Sequence, residues 1–213
     1  MNEIVRKANR VKFQTIINNL QKRNFEAYYC DTAWEACDRA MVMIREGASV
    51  SWGGSVTIRE IGLLDMLEGR NLKLLDAFRP PSPAEAHEHF RKTLLADYFL
   101  MSTNAITVDG KLVNIDGAGN RMAALMTGPR EVLIFVGANK VVESEEDALA
   151  RIKAHACPSN AARLNKEKTP CAVTGRCGEC LIPECMCCHM VVTRFCRTPG
   201  RVKIMLINEN LGF

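Results

Sequence analysis

The spacing of apolar positions changes several times along the chain, and each change predicts an element. Ile4, Val5, Ala8, Val11, Ile16, Ile17 and Leu20 recur near a 3.6-residue period, predicting an amphipathic helix that ends at Asn24. Phe25 to Cys30 reads as a short aromatic strand. Thr32 with Glu35 three residues on is a capping-box start for a helix running to Glu46 and stopping at Gly47. Ala48 to Trp52 is the next strand. Gly53-Gly54-Ser55 leads from it into a helix carrying Ile58, Ile61, Leu64 and Leu67, closed by Gly69. After a third strand at Leu72 to Leu75, Arg79-Pro80-Pro81-Ser82-Pro83 can continue neither element. Ser82 then caps a helix from Ala84 to Leu95, with Pro83 at its first position and Glu85 completing the box.

The densest punctuation lies between Asp97 and Ala124. An apolar run, Tyr98 to Met101, meets a polar break at Ser102-Thr103-Asn104. Asp109-Gly110 between alternating segments predicts a hairpin with a type I′ turn. Asp116-Gly117-Ala118-Gly119-Asn120 then opens onto an Ala/Met-rich helix. Beyond Gly128-Pro129, Val132 to Val136 is apolar on both faces and runs into Gly137-Ala138-Asn139-Lys140; Ser144 with Asp147 starts a helix reaching about Ala156. Cys157 to Pro199 shows no sustained period, after which Val202 to Ile207 is plainly a strand. Alternating strands and helices, with crossovers long enough to require parallel pairing, predict a three-layer α/β/α fold with a mainly parallel sheet and an inserted β-hairpin. Residues 1–213 read as one domain, with 157–199 a cysteine-rich excursion and 202–207 a strand returning to the sheet.

Composition adds three constraints. Hydrophobic content of 47% and charge of 24% suit a globular core, and no apolar run approaches the roughly 18 residues of a membrane span. The start, MNEIVRKANRVKF, carries no continuous apolar segment of the kind a secretory leader needs, so cytoplasmic residence is the expectation. Ten cysteines in such a chain point to metal or redox chemistry and away from a disulfide scaffold. Only Cys30 and Cys37 lie early; the other eight begin at Cys157. Arg151 to Lys203 holds ten Lys or Arg against three acidic residues, a local +7 in a chain of net +4. That excess suits a negatively charged metal–thiolate centre, or is simply a solvated basic face. Aromatic residues are sparse there and no nucleic-acid motif is present, so nucleic acid is not an expected partner.

In parallel α/β sheets ligands bind beyond the carboxyl ends of the strands. Four loops qualify: Gly53-Gly54-Ser55, Ser102 to Asn104, Asp116 to Arg121, and Gly137 to Lys140. Ser55, Ser102, Asn104, Asn120 and Asn139 offer neutral hydrogen bonds. Arg121 and Lys140 offer positive charge, and Gly53, Gly54, Gly117, Gly119 and Gly137 allow close backbone approach. Together they describe a pocket for an anionic small molecule bearing phosphate, carboxylate or a CoA-like group. Asp116 is the candidate general base or nucleophile. The plainer alternative makes Asp116-Gly117 a turn and Lys140 a solvated side chain. A second focus is Cys177-Gly178-Glu179-Cys180, preceded by Cys171 and followed by Cys185, Cys187 and Cys188. Four thiolates suit zinc or an iron–sulfur cluster, and the competing reading is a redox-active dithiol at Cys177 and Cys180.

The segments SWGGSVTIREIGLLDML, MSTNAITVDGKLVNIDGAGNRMAALMTGPREVLIFVGANKVV, NAARLNKEKTPCAVTGRCGEC and RVKIMLINENLGF together resemble the lactate-utilisation (LUD) domain family. The resemblance covers most of the chain from Ser51 onward. It implies a fold similar to ribose-5-phosphate isomerase, glucosamine-6-phosphate deaminase and the CoA transferases. It also implies a component of organic-acid oxidation working beside iron–sulfur oxidoreductase subunits, with Cys171, Cys177, Cys180 and Cys187 as metal ligands and Cys185 or Cys188 as the alternative fourth. Two other classes stay open: a sugar-phosphate or CoA-handling enzyme using Asp116, and a non-catalytic binding or regulatory module.

Overall fold

A computed structural model describes residues 1–77, 79–80 and 82–213; Pro81, inside the proline-rich break, lies outside the described residues. The chain begins with α1 (Glu3–Lys22), β1 (Glu26–Cys30), α2 (Ala33–Met43) and β2 (Ser49–Trp52). Two short helices, α3 (Val56–Glu60) and α4 (Leu63–Glu68), lead to β3 (Lys73–Asp76), and α5 (Ala86–Thr93) leads to β4 (Tyr98–Met101). β5 (Ala105–Thr107), β6 (Leu112–Asp116), α6 (Asn120–Met126), β7 (Glu131–Gly137) and β8 (Val141–Val142) follow. α7 (Glu145–Arg151), α8 (Cys157–Arg163), α9 (Pro170–Thr174), β9 (His189–Thr193) and β10 (Val202–Ile207) complete the order.

The main sheet has the order β1-β10-β7-β4-β2-β3, and every pairing in it is parallel. Alternation along β7 shows why its strands read as apolar on both faces. Val132, Ile134 and Val136 join the cluster under α1 and α6, while Leu133 and Phe135 point to the opposite cluster under α2 to α4. β10 divides in the same way, with Val202, Ile204 and Leu206 on the first side and Met205 and Ile207 on the second. This is the expected α/β arrangement of a mainly parallel sheet between helices.

Several local expectations change. α1 buries Phe13, Ile16, Ile17 and Leu20, but Ile4, Val5 and Val11 are exposed. Only its second half crosses the sheet. α2 stops at Met43 because the backbone turns extended at Ile44, whose side chain enters the core. Thr32 Oγ1 accepts the Glu35 N–H at 3.2 Å, yet the Glu35 carboxylate takes the Asp31 N–H, so the reciprocal half of the box reaches one residue further back. The helix expected after Gly53-Gly54-Ser55 is split at Gly62, and Leu63, not Leu64, is fully buried. Ser82 precedes a short 3₁₀ turn, Pro83–Glu85, and its hydroxyl meets the Glu85 carboxylate.

The hairpin exists with a different turn. β5 and β6 pair antiparallel, the Gly110 N–H bonds to Thr107 O at 2.9 Å, and Gly110 has φ 88°. Asp109 is not in the positive-φ region, so the turn is a type I turn closed by a left-handed glycine instead of type I′. The hairpin is also part of a larger, four-stranded sheet of order β8-β5-β6-β9. β9 comes from the cysteine-rich segment, whose sequence has no sustained period. That segment also holds α8 and α9. The helix expected to end near Ala156 instead passes through a π-helical turn, Ile152–Ala156, straight into α8.

The main sheet has a switch point. β2 leads outward to its neighbour β3, whereas the adjacent β4 leads the other way to β7. A crevice opens where the connections diverge, at the carboxyl ends of β2 and β4.

Candidate functional site

A cavity of about 460 Å³ lies at this switch point. Its floor comes from the loops after β2 and β4, represented by Ser55, Thr57, Ser102 and Asn104. One side is the turn after β6, and the other is the π-helical turn with the start of α8 and the segment around Cys187. The second sheet brings that segment in, because β9 pairs along the whole of β6 and sets His189 opposite Asp116.

Lys140 is the most distinctive residue in the cavity. It follows β7 on a 3₁₀ turn, is only 3% exposed, and its Nζ donates to Thr57 Oγ1 at 2.7 Å and Ser102 Oγ at 2.9 Å. Among the described residues no carboxylate pairs with it. Burial and the nearby guanidinium groups of Arg151 and Arg121 push its pKa down to about 7, against a weaker pull from Glu60. The solvated alternative for Lys140 therefore does not describe this side chain.

Asp116 is 5% exposed at the end of β6. Its Oδ1 accepts the Gly119 N–H at 3.0 Å, which fixes the turn into α6. Its Oδ2 sits 3.0 Å from Arg121 Nε as an ion pair without a well-aligned hydrogen bond. Arg121 Nη2 donates to Ile115 O at 2.8 Å, and Asn104 Oδ1 accepts from the Ile115 N–H. Gly53 belongs to the same assembly: a Cβ there would stand 2.8 Å from Arg121 Cγ, so the bare backbone lets the arginine stem pass. Asp116 thus neutralises and orients Arg121.

The structure brings most of the expected anion-site residues to the cavity: Gly54, Ser55, Ser102, Asn104, Asp116, Gly117, Asn120, Arg121 and Lys140 line it. Gly53, Gly119, Gly137 and Asn139 do not. Asn139 instead clamps the segment after β10, accepting the Leu211 N–H at 3.0 Å and donating to Gly212 O at 3.0 Å. Sequence reasoning missed Thr57, Cys157 and Arg163. Arg163 is held by Asn160 Oδ1 and has no carboxylate partner among the described residues. All three lie on helices whose turn toward the cavity depends on tertiary packing.

The thiols group differently from the expected quartet. Cys157, Cys177 and Cys187 lie with all sulfurs within 4.8 Å of one another, and Cys157 Sγ is 3.3 Å from Cys187 Sγ. Cys157, outside the expected quartet, is thus the third member beside Cys177 and Cys187. Cys180 is not in this trio; its thiol neighbours Cys185, with Cys171 beyond. The Cys185 sulfur accepts the Cys187 N–H at 3.4 Å and adjoins the trio. Cys188 is exposed, and Cys177 and Cys180, the pair of the competing dithiol reading, belong to different groups. Hydrogen bonding to Cys157, then burial, holds the Cys187 thiol well above its ordinary range. Zinc–sulfur bonds of about 2.3 Å place tetrahedral thiolates about 3.8 Å apart, so the trio's spacing fits a single bound ion.

The sequence matches the model of the LUD domain over residues 13–207. The chain belongs to the LUD domain family. A crystal structure of a DUF162 family protein from Deinococcus radiodurans is similar to this LUD chain at TM-score 0.51 and 12% identity, covering 95% of this chain and 98% of that one. At that identity the likeness shows a shared fold. A crystal structure of eIF2B delta from Chaetomium thermophilum matches at TM-score 0.36 and 19% identity, over 64% of this chain and 54% of that one. No curated protein matches the LUD chain. Among the described residues no helix is long and apolar enough to cross a membrane.

Proposed function

We propose that this LUD-domain chain is a component of organic-acid oxidation that binds a small carboxylate, of the lactate or pyruvate kind, in the switch-point cavity. The observation that carries the reading is the buried, carboxylate-free Lys140 beside Ser102 and Thr57, in a cavity where Asp116 is already neutralised by Arg121. Arg163 adds positive charge at the rim for an incoming anion. The cysteine trio on the adjoining wall holds a metal ion, with Cys185 as the nearest further thiol. Its spacing favours zinc over an iron–sulfur cluster, whose cysteine sulfurs are held apart by separate irons. Iron–sulfur oxidoreductase subunits are the partners this role requires.

A thermal-shift series on protein purified without oxygen tests the anion site. Lactate or pyruvate is expected to raise the Tm of the native chain and not of Lys140→Met. Stabilisation by phosphosugars or CoA alone would move the assignment to a sugar-phosphate or CoA-handling enzyme. Metal analysis of the same sample is expected to find about one zinc per chain. Absence of both zinc and iron would remove the metal site.

A further inference from the structure

We propose that Lys140 is a nucleophile that captures the carbonyl of a 2-oxo acid as an imine. This rests on the organic-anion reading of the cavity and names the substrate class for it. A lysine kept only for its charge usually pairs with a carboxylate or extends into bulk solvent; among the described residues no carboxylate pairs with Lys140, whose amine is 3% exposed, lines the cavity, and has two hydroxyl groups as its hydrogen-bond partners. Burial and two neighbouring guanidinium groups also favour the neutral amine, which is the form that attacks. Arg163 supplies a cationic partner for the carboxylate at the cavity rim.

The step balances without an oxidant or reductant. The Nζ lone pair adds to C2 of the 2-oxo acid, forming a C–N bond as the carbonyl π pair moves to oxygen. Ser102 Oγ or Thr57 Oγ1, each within hydrogen-bond reach of Nζ, relays a proton from nitrogen to that oxygen. Loss of water from the carbinolamine gives the imine. A 2-oxo acid is what oxidation of a 2-hydroxy acid produces, so the chemistry fits a protein that handles the product of that reaction.

The test is to incubate the intact protein with pyruvate and sodium cyanoborohydride, then measure intact mass and map peptides. One reduced pyruvate per chain, carried on Lys140, is the expected result, with trapping slowed at least several-fold in Ser102→Ala and absent in Lys140→Arg. The native-chain peptide map decides the matter even where a variant fails to fold. If pyruvate raises the Tm but no adduct forms on Lys140, or if adducts spread evenly over surface lysines, the imine is wrong while the anion site stands. If pyruvate neither stabilises nor labels the protein, and lactate does not bind either, both readings fall.

Discussion

Lys140 ties stability to pH in a direction that is easy to test. Its pKa falls from 10.5 to about 7 on folding, so between those values the unfolded chain holds the extra proton. Stability therefore rises with pH between about 7 and 10.5, and below about 7 the full cost of holding a proton in the cavity is present. Cys30 and Cys37, whose thiols burial pushes up to about 11, act in the opposite sense above pH 9, so the comparison belongs below it. Between pH 7 and 9 the native chain is expected to gain on the order of 2 kcal/mol relative to Lys140→Met, read from urea unfolding at each pH. A flat difference would show that the amine is not buried in solution. Asp116 gives a second test at this scale. Asp116→Asn leaves Arg121 buried without its counter-charge and is expected to destabilise by about 3 kcal/mol, measured in the same titration; a loss below about 0.5 kcal/mol, as for an exposed pair, would contradict the buried pairing. A lysine in a loop reads as solvated in any sequence, and only the crossing of the β4 and α3 ends shows that this one is enclosed.

The hairpin and the π-helical turn set the cavity walls. A Cβ at Gly110 would lie 3.0 Å from the backbone of Asn19 and Leu20, where α1 packs on the turn, and φ there is 88°. Gly110→Ala is expected to cost more than about 1 kcal/mol in thermal unfolding, with no change in zinc content. Cys157→Ser is expected to do the converse for the metal, lowering zinc per chain sharply, while Cys188→Ser leaves it unchanged because that exposed thiol lies outside the trio. Strands such as Val132 to Val136 were legible in the sequence because burial on both faces leaves no polar position to confuse the pattern. β9, HMVVT, was not: it is half exposed and follows a cysteine run. The loops that line the cavity could be read from glycines and polar breaks. The third thiol of the trio could not, since Cys157 stands twenty residues before Cys177 and reaches it only because the helix does not stop at Ala156.

Across the whole molecule, the two sheets and the segment after β10 converge on the cavity. Thr57 and Lys140 come from elements far apart in sequence, and Asn139 fastens residues 211–212 beside them. The position of β10 has a further consequence. It fills the gap between β1 and β7, pairing Glu26 with Lys203 and Val132 with Val202, and among the described residues β1 has no other neighbour in the main sheet. Chain ended at Arg201 is expected to leave two open strand edges and to collect in the insoluble fraction on expression, where the full chain stays in solution. During synthesis on a ribosome, β1 is made first and must wait, unpaired, until nearly all of the rest has emerged. The cysteine segment is threaded out in that interval, before the sheet can shut behind it.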